Sequence, residues 1–128
     1  MSKTLIVQDL PNATVSFATQ LDQLGGPVTL INTFVLPSAE SEGPFRAHWE
    51  SDAGLMKAQY GMLSAQLHQA LGSENNVFIN VAIWESMDAF RQAFQSHQFQ
   101  QTLSGYPAGT TMYPVLARKV AVPGICVA

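Results

Sequence analysis

Two side chains in the stretch VFINVAIWE, residues 77–85, could do chemistry on an apolar molecule: Asn80 and Trp84. As a strand, the stretch alternates its side chains between two faces. Phe78, Asn80, Ala82 and Trp84 share one face, and Val77, Ile79, Val81 and Ile83 share the other. An amide among large apolar groups must find a partner or remain costly to bury, so it is either a structural tie or part of a furnished pocket. The stretch VTLINTFVL (28–36) repeats the pattern, with Asn32 in the row Val28, Leu30, Asn32, Phe34 and Leu36. Neutral donors set in an apolar cavity stabilise a developing anion, because little water screens them. One such donor is worth about 3–4 kcal/mol of barrier. The amide–indole face is expected to look onto a helix-side cavity, leaving the aliphatic row of 77–83 for a partner's sheet.

Other chemically capable residues are more ordinary. His48, beside Trp49, and His68, at a strand end, could take a phenolic proton near neutral pH, although a solvated or structurally bonded histidine is the commoner state. His97 reads as a surface residue. Phe45, Trp49, Met56, Phe90 and Phe94 recur at helical spacing and read as core that doubles as pocket wall. Glu40, Glu42, Glu50 and Asp52 fall in a loop and a helix start, where solvation is the default, and do not suggest a metal site. Cys126 stands in an apolar tail and is the single cysteine, which excludes an internal disulfide. Phosphate-loop, HExxH, GxSxG and EF-hand patterns are absent.

Composition narrows the classes. The 128 residues are 47% apolar and 12% charged, so one domain is expected with some apolar surface buried against another subunit. Six Lys plus Arg, scattered in a chain of net charge −3, give no stripe for a phosphate backbone, so no nucleic-acid partner is expected. The longest apolar runs are strand-sized, and MSKTLIVQDLP lacks the apolar core of a signal peptide, so a cytoplasmic protein without membrane contact is expected.

The elements that must position these residues follow from periodicity and punctuation. Residues 1–27 read as an extension: a short strand at Thr4–Gln8, a turn at Pro11-Asn12, and a helix over Thr14–Leu24, closed by GGP. Residues 28–122 read as the main domain, and 123–128 as a tail. Strands are expected at 28–36, 60–72, 77–85 and 110–122, and helices at 42–59 and 86–103. Pro114 favours an edge or a bulge in the last strand. The order β-α-β-β-α-β is an α+β, ferredoxin-like arrangement with both helices on one face of a four-stranded antiparallel sheet. Its uncovered face points to a homodimer formed sheet to sheet.

Over roughly residues 26–120 the chain resembles antibiotic biosynthesis monooxygenase (ABM) domains, through VTLINTF, WESMDAF, SHQFQQTL and the closing LARKVAVPGICVA. The resemblance implies a dimeric α+β barrel. One branch of that superfamily comprises cofactor-independent oxygenases that turn anthrones or hydroquinones into quinones. They carry an Asn and a Trp four residues apart on a strand, matched by Asn80 and Trp84, and a following Tyr whose place is taken by Phe90. A second branch degrades haem. Asn32 fits its strand Asn, but Ala93 and Leu103 stand where its Trp and ligand His belong, and His97 lies six residues early, which disfavours haem. The resemblance thus implies a monooxygenase acting with O2 on a phenolic or quinol-like aromatic. The phenolate or enolate would give one electron to triplet oxygen while Asn80, Trp84 and Asn32 hold the anion and the reduced oxygen, with no flavin or metal required. A non-catalytic dimeric barrel binding a hydrophobic small molecule is the alternative.

Overall fold

A computed structural model describes residues 5–128. The main domain runs β2 (Val28–Val35), α2 (Glu42–Lys57), β3 (Met62–Gln69), β4 (Val77–Trp84), α3 (Met87–Phe94), α4 (His97–Thr102) and β5 (Thr110–Ala117), preceded by β1 (Leu5–Val7) and α1 (Phe17–Gln20). This is the ferredoxin-like α+β order, with two departures from the sequence reading. The sheet has five strands rather than four, in the order β1-β5-β2-β4-β3. Its β2, β3, β4 and β5 pair antiparallel, whereas β1 runs parallel to β5. The expected first strand began at Thr4, which lies outside the described residues.

The extension is short-ranged and tied to its own domain. Gln8 N–H donates to the Met112 carbonyl at 3.0 Å, which carries the β1 pairing as far as that residue. Pro114, next along the same edge, has no N–H to offer. At Leu116 the side chain of Gln20 takes over, donating to the carbonyl and accepting from the N–H, each at 3.0 Å. The helix expected over 14–24 is a single turn, capped by Ser16. Beyond Gln20 the bonding tightens to i→i+3, and the carbonyls of Leu21 and Gln23 are held by the Arg91 guanidinium, each at 2.6 Å, while Pro27 has no N–H to continue a helix.

The helix expected over 86–103 is two helices. Ser96 breaks it: its hydroxyl donates to the Ala93 carbonyl at 2.8 Å and accepts from Phe99 N–H at 3.2 Å, ending α3 and capping α4. The turn lets Phe99 enter the core beside Phe94, with ring centroids 5.5 Å apart. In β3 the register shifts between Met62 and Ser64. This bulge puts Met62 on the same face as Ala65 and Leu67, where strict alternation would have opposed them.

All the helices cover one face of the sheet. Core residues gather there in two groups, one around Trp84, Phe90 and Leu30, the other around Phe34, Phe45, Phe78 and Tyr106. The opposite face carries Thr29, Ile31, Thr33 and Val35 of β2 and Val77, Ile79, Val81 and Ile83 of β4. It is partly exposed, and Ile31 retains 38% of its surface. Among the described residues no helix is long and apolar enough to cross a membrane.

Candidate active site

Between the two core groups, where the helices meet the middle of the sheet, lies a cavity. Its floor is built by strand register. Asn32 on β2 stands directly opposite Asn80 on β4, with Pro114 of β5 across from Asn32 and Leu67 of β3 across from Asn80. Two residues along β4, Ala82 continues the same face, and Trp84 closes it. Each step of two keeps the side chain on that face, so spacing alone delivers Asn80 and Trp84 to one cavity.

Trp84 is almost completely buried and meets Phe90 edge to face at 5.5 Å. Asn32 is also buried; its Nδ2 donates to the Met112 sulfur at 3.3 Å, a weak acceptor, and its Oδ1 has no partner. The Oδ1 of Asn80 is likewise buried without a partner. Unpartnered buried amide oxygens are uncommon, since each one costs about 1–3 kcal/mol of desolvation.

Of the expected pocket-wall residues, Trp49, Met56, Phe90 and Phe94 line the cavity. Phe45 and His68 do not. Phe45 is fully enclosed in the second core group, its ring 4.9 Å from Phe78 and 5.0 Å from Phe34. His68 lies on the outer sheet face, opposite Ile79, because the register after the Met62–Ser64 bulge turns Ser64, Gln66 and His68 outward. Its Nδ1 is 3.3 Å from the Ile79 carbonyl. His97 is exposed at the start of α4, and Cys126 is exposed in the tail.

The residue that the sequence reading left to solvent is Asp52. It lines the cavity, is 3% exposed, and neither carboxylate oxygen meets a hydrogen-bond donor. The signal was its position: seven residues after Phe45, three after Trp49 and four before Met56, in the centre of the α2 apolar stripe. Tyr106, from the segment before β5, was also missed and lines the same wall. Burial, then the charge of Asp52 and a loose side-chain approach to it, hold the Tyr106 hydroxyl protonated far above the usual tyrosine range. His48, one turn before Asp52, places Nε2 2.6 Å from the Thr102 carbonyl and 3.8 Å from Asp52 Oδ2.

The cavity is small, about 60 Å³, enough for a few waters and well under the few hundred Å³ of a filled ligand site. Trp49 and Ala65 line it and also border two shallow hollows between α2 and β3, so the cavity nears the surface on that side. An aromatic ligand must therefore displace side chains such as the half-buried Trp49 and Phe94.

The arrangement is a closed apolar chamber with amides on its floor, an indole at one end and a carboxylate in its roof. Comparison with known proteins agrees with the architecture. The profile of the family described as antibiotic biosynthesis monooxygenase matches residues 27–104. A proposed monooxygenase from Shewanella loihica PV-4 shares 37% identity at a TM-score of 0.63, over 78% of this chain and all (100%) of that one. SnoaB, a cofactor-independent oxygenase from Streptomyces nogalater, is 22% identical at a TM-score of 0.65, over 76% of this chain and 96% of its own. Rv0793 from Mycobacterium tuberculosis is 15% identical at 0.62, over 77% and 100%. Among curated proteins no match was found. With more than half its length matched by that profile, the chain belongs to the antibiotic biosynthesis monooxygenase family.

Proposed function

We propose that this protein is a cofactor-independent monooxygenase that uses O2 to convert a phenolic, hydroquinone or anthrone-like aromatic into a quinone. The observation that carries the reading is the Asn32–Asn80 pair, set face to face across β2 and β4 with Trp84 in the wall of one apolar cavity. Trp49, Met56, Phe90 and Phe94 give that cavity flat apolar walls suited to an aromatic ring. The Shewanella relative, a proposed monooxygenase, supports the reaction class. SnoaB, a cofactor-independent oxygenase, supports the idea that this scaffold can work without a cofactor.

The chemistry asked of the site is modest. The substrate anion passes one electron to O2, the resulting radical and superoxide combine, and the peroxide collapses to a carbonyl and water. Asn80, Trp84 and Asn32 stabilise the anionic stages at the cavity floor. Phe90, buried where a tyrosine would bring a phenol, supplies shape only. The working unit is proposed to be a cytoplasmic homodimer joined through the outer sheet face, whose Val77, Ile79, Val81 and Ile83 remain partly exposed in the single chain.

Oxygen uptake by metal-free, colourless protein with a panel of anthrones and hydroquinones tests the reading. Uptake without added cofactor that falls ten-fold or more in Asn80→Ala or Trp84→Phe, a loss of about 1.4 kcal/mol or greater, supports it. The small volume of the cavity favours one second reading, a binding protein whose pocket opens around a hydrophobic molecule. Saturable binding of the same aromatics with no uptake would select it.

A further inference from the structure

We propose that Asp52 is the base that takes the substrate's proton, and that His48 exchanges that proton with solvent. This deepens the oxygenase reading and rests on it for the identity of the substrate. Asp52 is the one charged residue in the cavity wall among the described residues. Its side chain is 5% exposed, and both oxygens lack a donor. A carboxylate left unpaired in an apolar chamber has full acceptor capacity, and the ligand is what can use it. The Asn32 and Asn80 oxygens are unpaired in the same chamber. Four acceptor atoms thus face a space that offers few donors, which fits an occupant that arrives protonated and carries its own acidic hydrogens.

The neighbours fit the path of a proton. Asn32, Asn80, Met112 and Phe99 reach the cavity from β2, β4, β5 and α4 and carry no charge. The titratable groups near Asp52 are Tyr106, held in its protonated form by burial and by Asp52 itself, and His48 on the same helix. His48 is 21% exposed, against 5% for Asp52, so it lies between the carboxylate and water. The 3.8 Å from Nε2 to Oδ2 is beyond a hydrogen bond, as catalytic contacts often are before substrate is present, and Nε2–H is held by the Thr102 carbonyl at 2.6 Å, so the ring exchanges a proton with Asp52 only when it lets that carbonyl go. Gly105 makes room for the ring, because a Cβ there would overlap His48.

For an anthrone-type CH2 group the balance closes. A C–H bond breaks, its proton moves to Asp52, and its electron pair enters the enolate. The enolate reduces O2 by one electron, and the radical pair forms a C–O bond. Asp52 returns its proton to the outer peroxide oxygen. Asp52 then takes the second proton from the same carbon while the O–O bond breaks and hydroxide leaves, and that proton completes water. The carbon is oxidised to a carbonyl, and O2 is reduced to one carbonyl oxygen and one water.

Proton removal can be separated from oxygen chemistry. Without oxygen, exchange of the CH2 hydrogens of 1,8-dihydroxyanthrone into D2O, followed by NMR near pH 6, reports the base alone. Asp52→Asn should slow exchange a hundred-fold or more, within the usual range for a general base. Asp52→Glu, which keeps a carboxylate, should retain measurable exchange and so separates chemistry from packing. His48→Gln should slow exchange about ten-fold, with recovery on adding imidazole. In air, the Asp52→Asn deficit should narrow as pH rises through the probe's own ionisation, because the anion then arrives preformed and only the second proton removal still lacks its base; Asn80→Ala should stay impaired at every pH. Equal exchange in wild type and Asp52→Asn, no protein-dependent exchange at all, or an aerobic deficit constant with pH would each overturn the proposal. Asp52-dependent exchange with no oxygen uptake would uphold Asp52 as a base and remove the oxygenase reading instead.

Discussion

Asp52 is held at the expense of stability. A buried carboxylate without a well-formed hydrogen bond is one of the costlier groups a small core can contain, and only the Tyr106 hydroxyl and the His48 ring approach it, both loosely. The near-isosteric Asp52→Asn should therefore stabilise the fold by about 1–2 kcal/mol and raise Tm by ~3–6 °C, as read by calorimetry, in the same variant that loses proton transfer. A fall in Tm would mean that the carboxylate is bonded in the native state. Tyr106 makes a separate prediction. Its ionisation is opposed in the folded state, by burial first and then by Asp52. Above about pH 10 the unfolded chain loses that proton while the folded chain keeps it, so stability must fall as pH rises, by about 1.4 kcal/mol per pH unit for this group. Because the unfolded tyrosine is only half ionised at pH 10, urea titrations of Tyr106→Phe between pH 10 and 11 should show about 1 kcal/mol less loss than the parent. At this scale Asn80, Trp84 and Asn32 were legible because a polar or amphipathic residue in an alternating apolar row stands out. Asp52 was obscured by the polar, exposed residues around it, Arg46, Glu50 and Ser51, although its position within the α2 stripe was there to be read.

At the scale of elements, Ser96 bears the most on the site. Its hydroxyl serves both helices at once, so Ser96→Ala should lose about 1 kcal/mol from the missing cap and loosen the Phe99 wall of the cavity. Equilibrium unfolding would show the first effect, and faster hydrogen exchange confined to α4 the second. Periodicity predicted one helix here because Met87, Phe90 and Phe94 set a clear apolar face and a serine within a polar stretch gives little warning of a break; the available signal was that Phe99 and Leu103 fall nearly half a turn out of phase with that face. The bulge in β3 was hidden for a similar reason: Met62 and Leu63 are equally apolar, and no Gly or Pro marks which of them is the extra residue. Strands 28–35 and 77–84 were read almost to the residue, since β-branched runs ended by Pro37 and by the Ser86 cap leave little freedom. The extension was harder. The helical pattern of 14–24 is real, but Arg91, some 70 positions away, holds the carbonyls of Leu21 and Gln23, and no local pattern announces a partner so distant.

For the whole molecule, the two faces of the sheet have opposite fates. One is filled by helices down to a cavity of about 60 Å³; the other keeps half-covered rows of Val, Ile and Thr. Burying those rows against a second copy would give the apolar core that a stable homodimer needs. Val81→Lys, at the middle of the row, should shift the mass in solution from dimer to monomer with the circular dichroism unchanged, as light scattering would show; a parent that is already monomeric would end the dimer proposal. The β-α-β-β-α-β order was legible from sequence because each element is long enough to announce its period. The fifth strand was not seen as part of the sheet, because three residues carry no topology of their own.

The arrangement along the outer border of β5 has a further consequence. A strand with free N–H and C=O groups is a template on which other chains can polymerise. Here β1 occupies the first stretch of that border, Pro114 cannot donate, and the Gln20 amide imitates a neighbouring strand for one residue at Leu116. One glutamine thus stands guard where a whole strand would otherwise be needed. Removing it should leave the individual molecule nearly intact yet make concentrated solutions turn cloudy on standing, a failure of the crowd rather than of the fold.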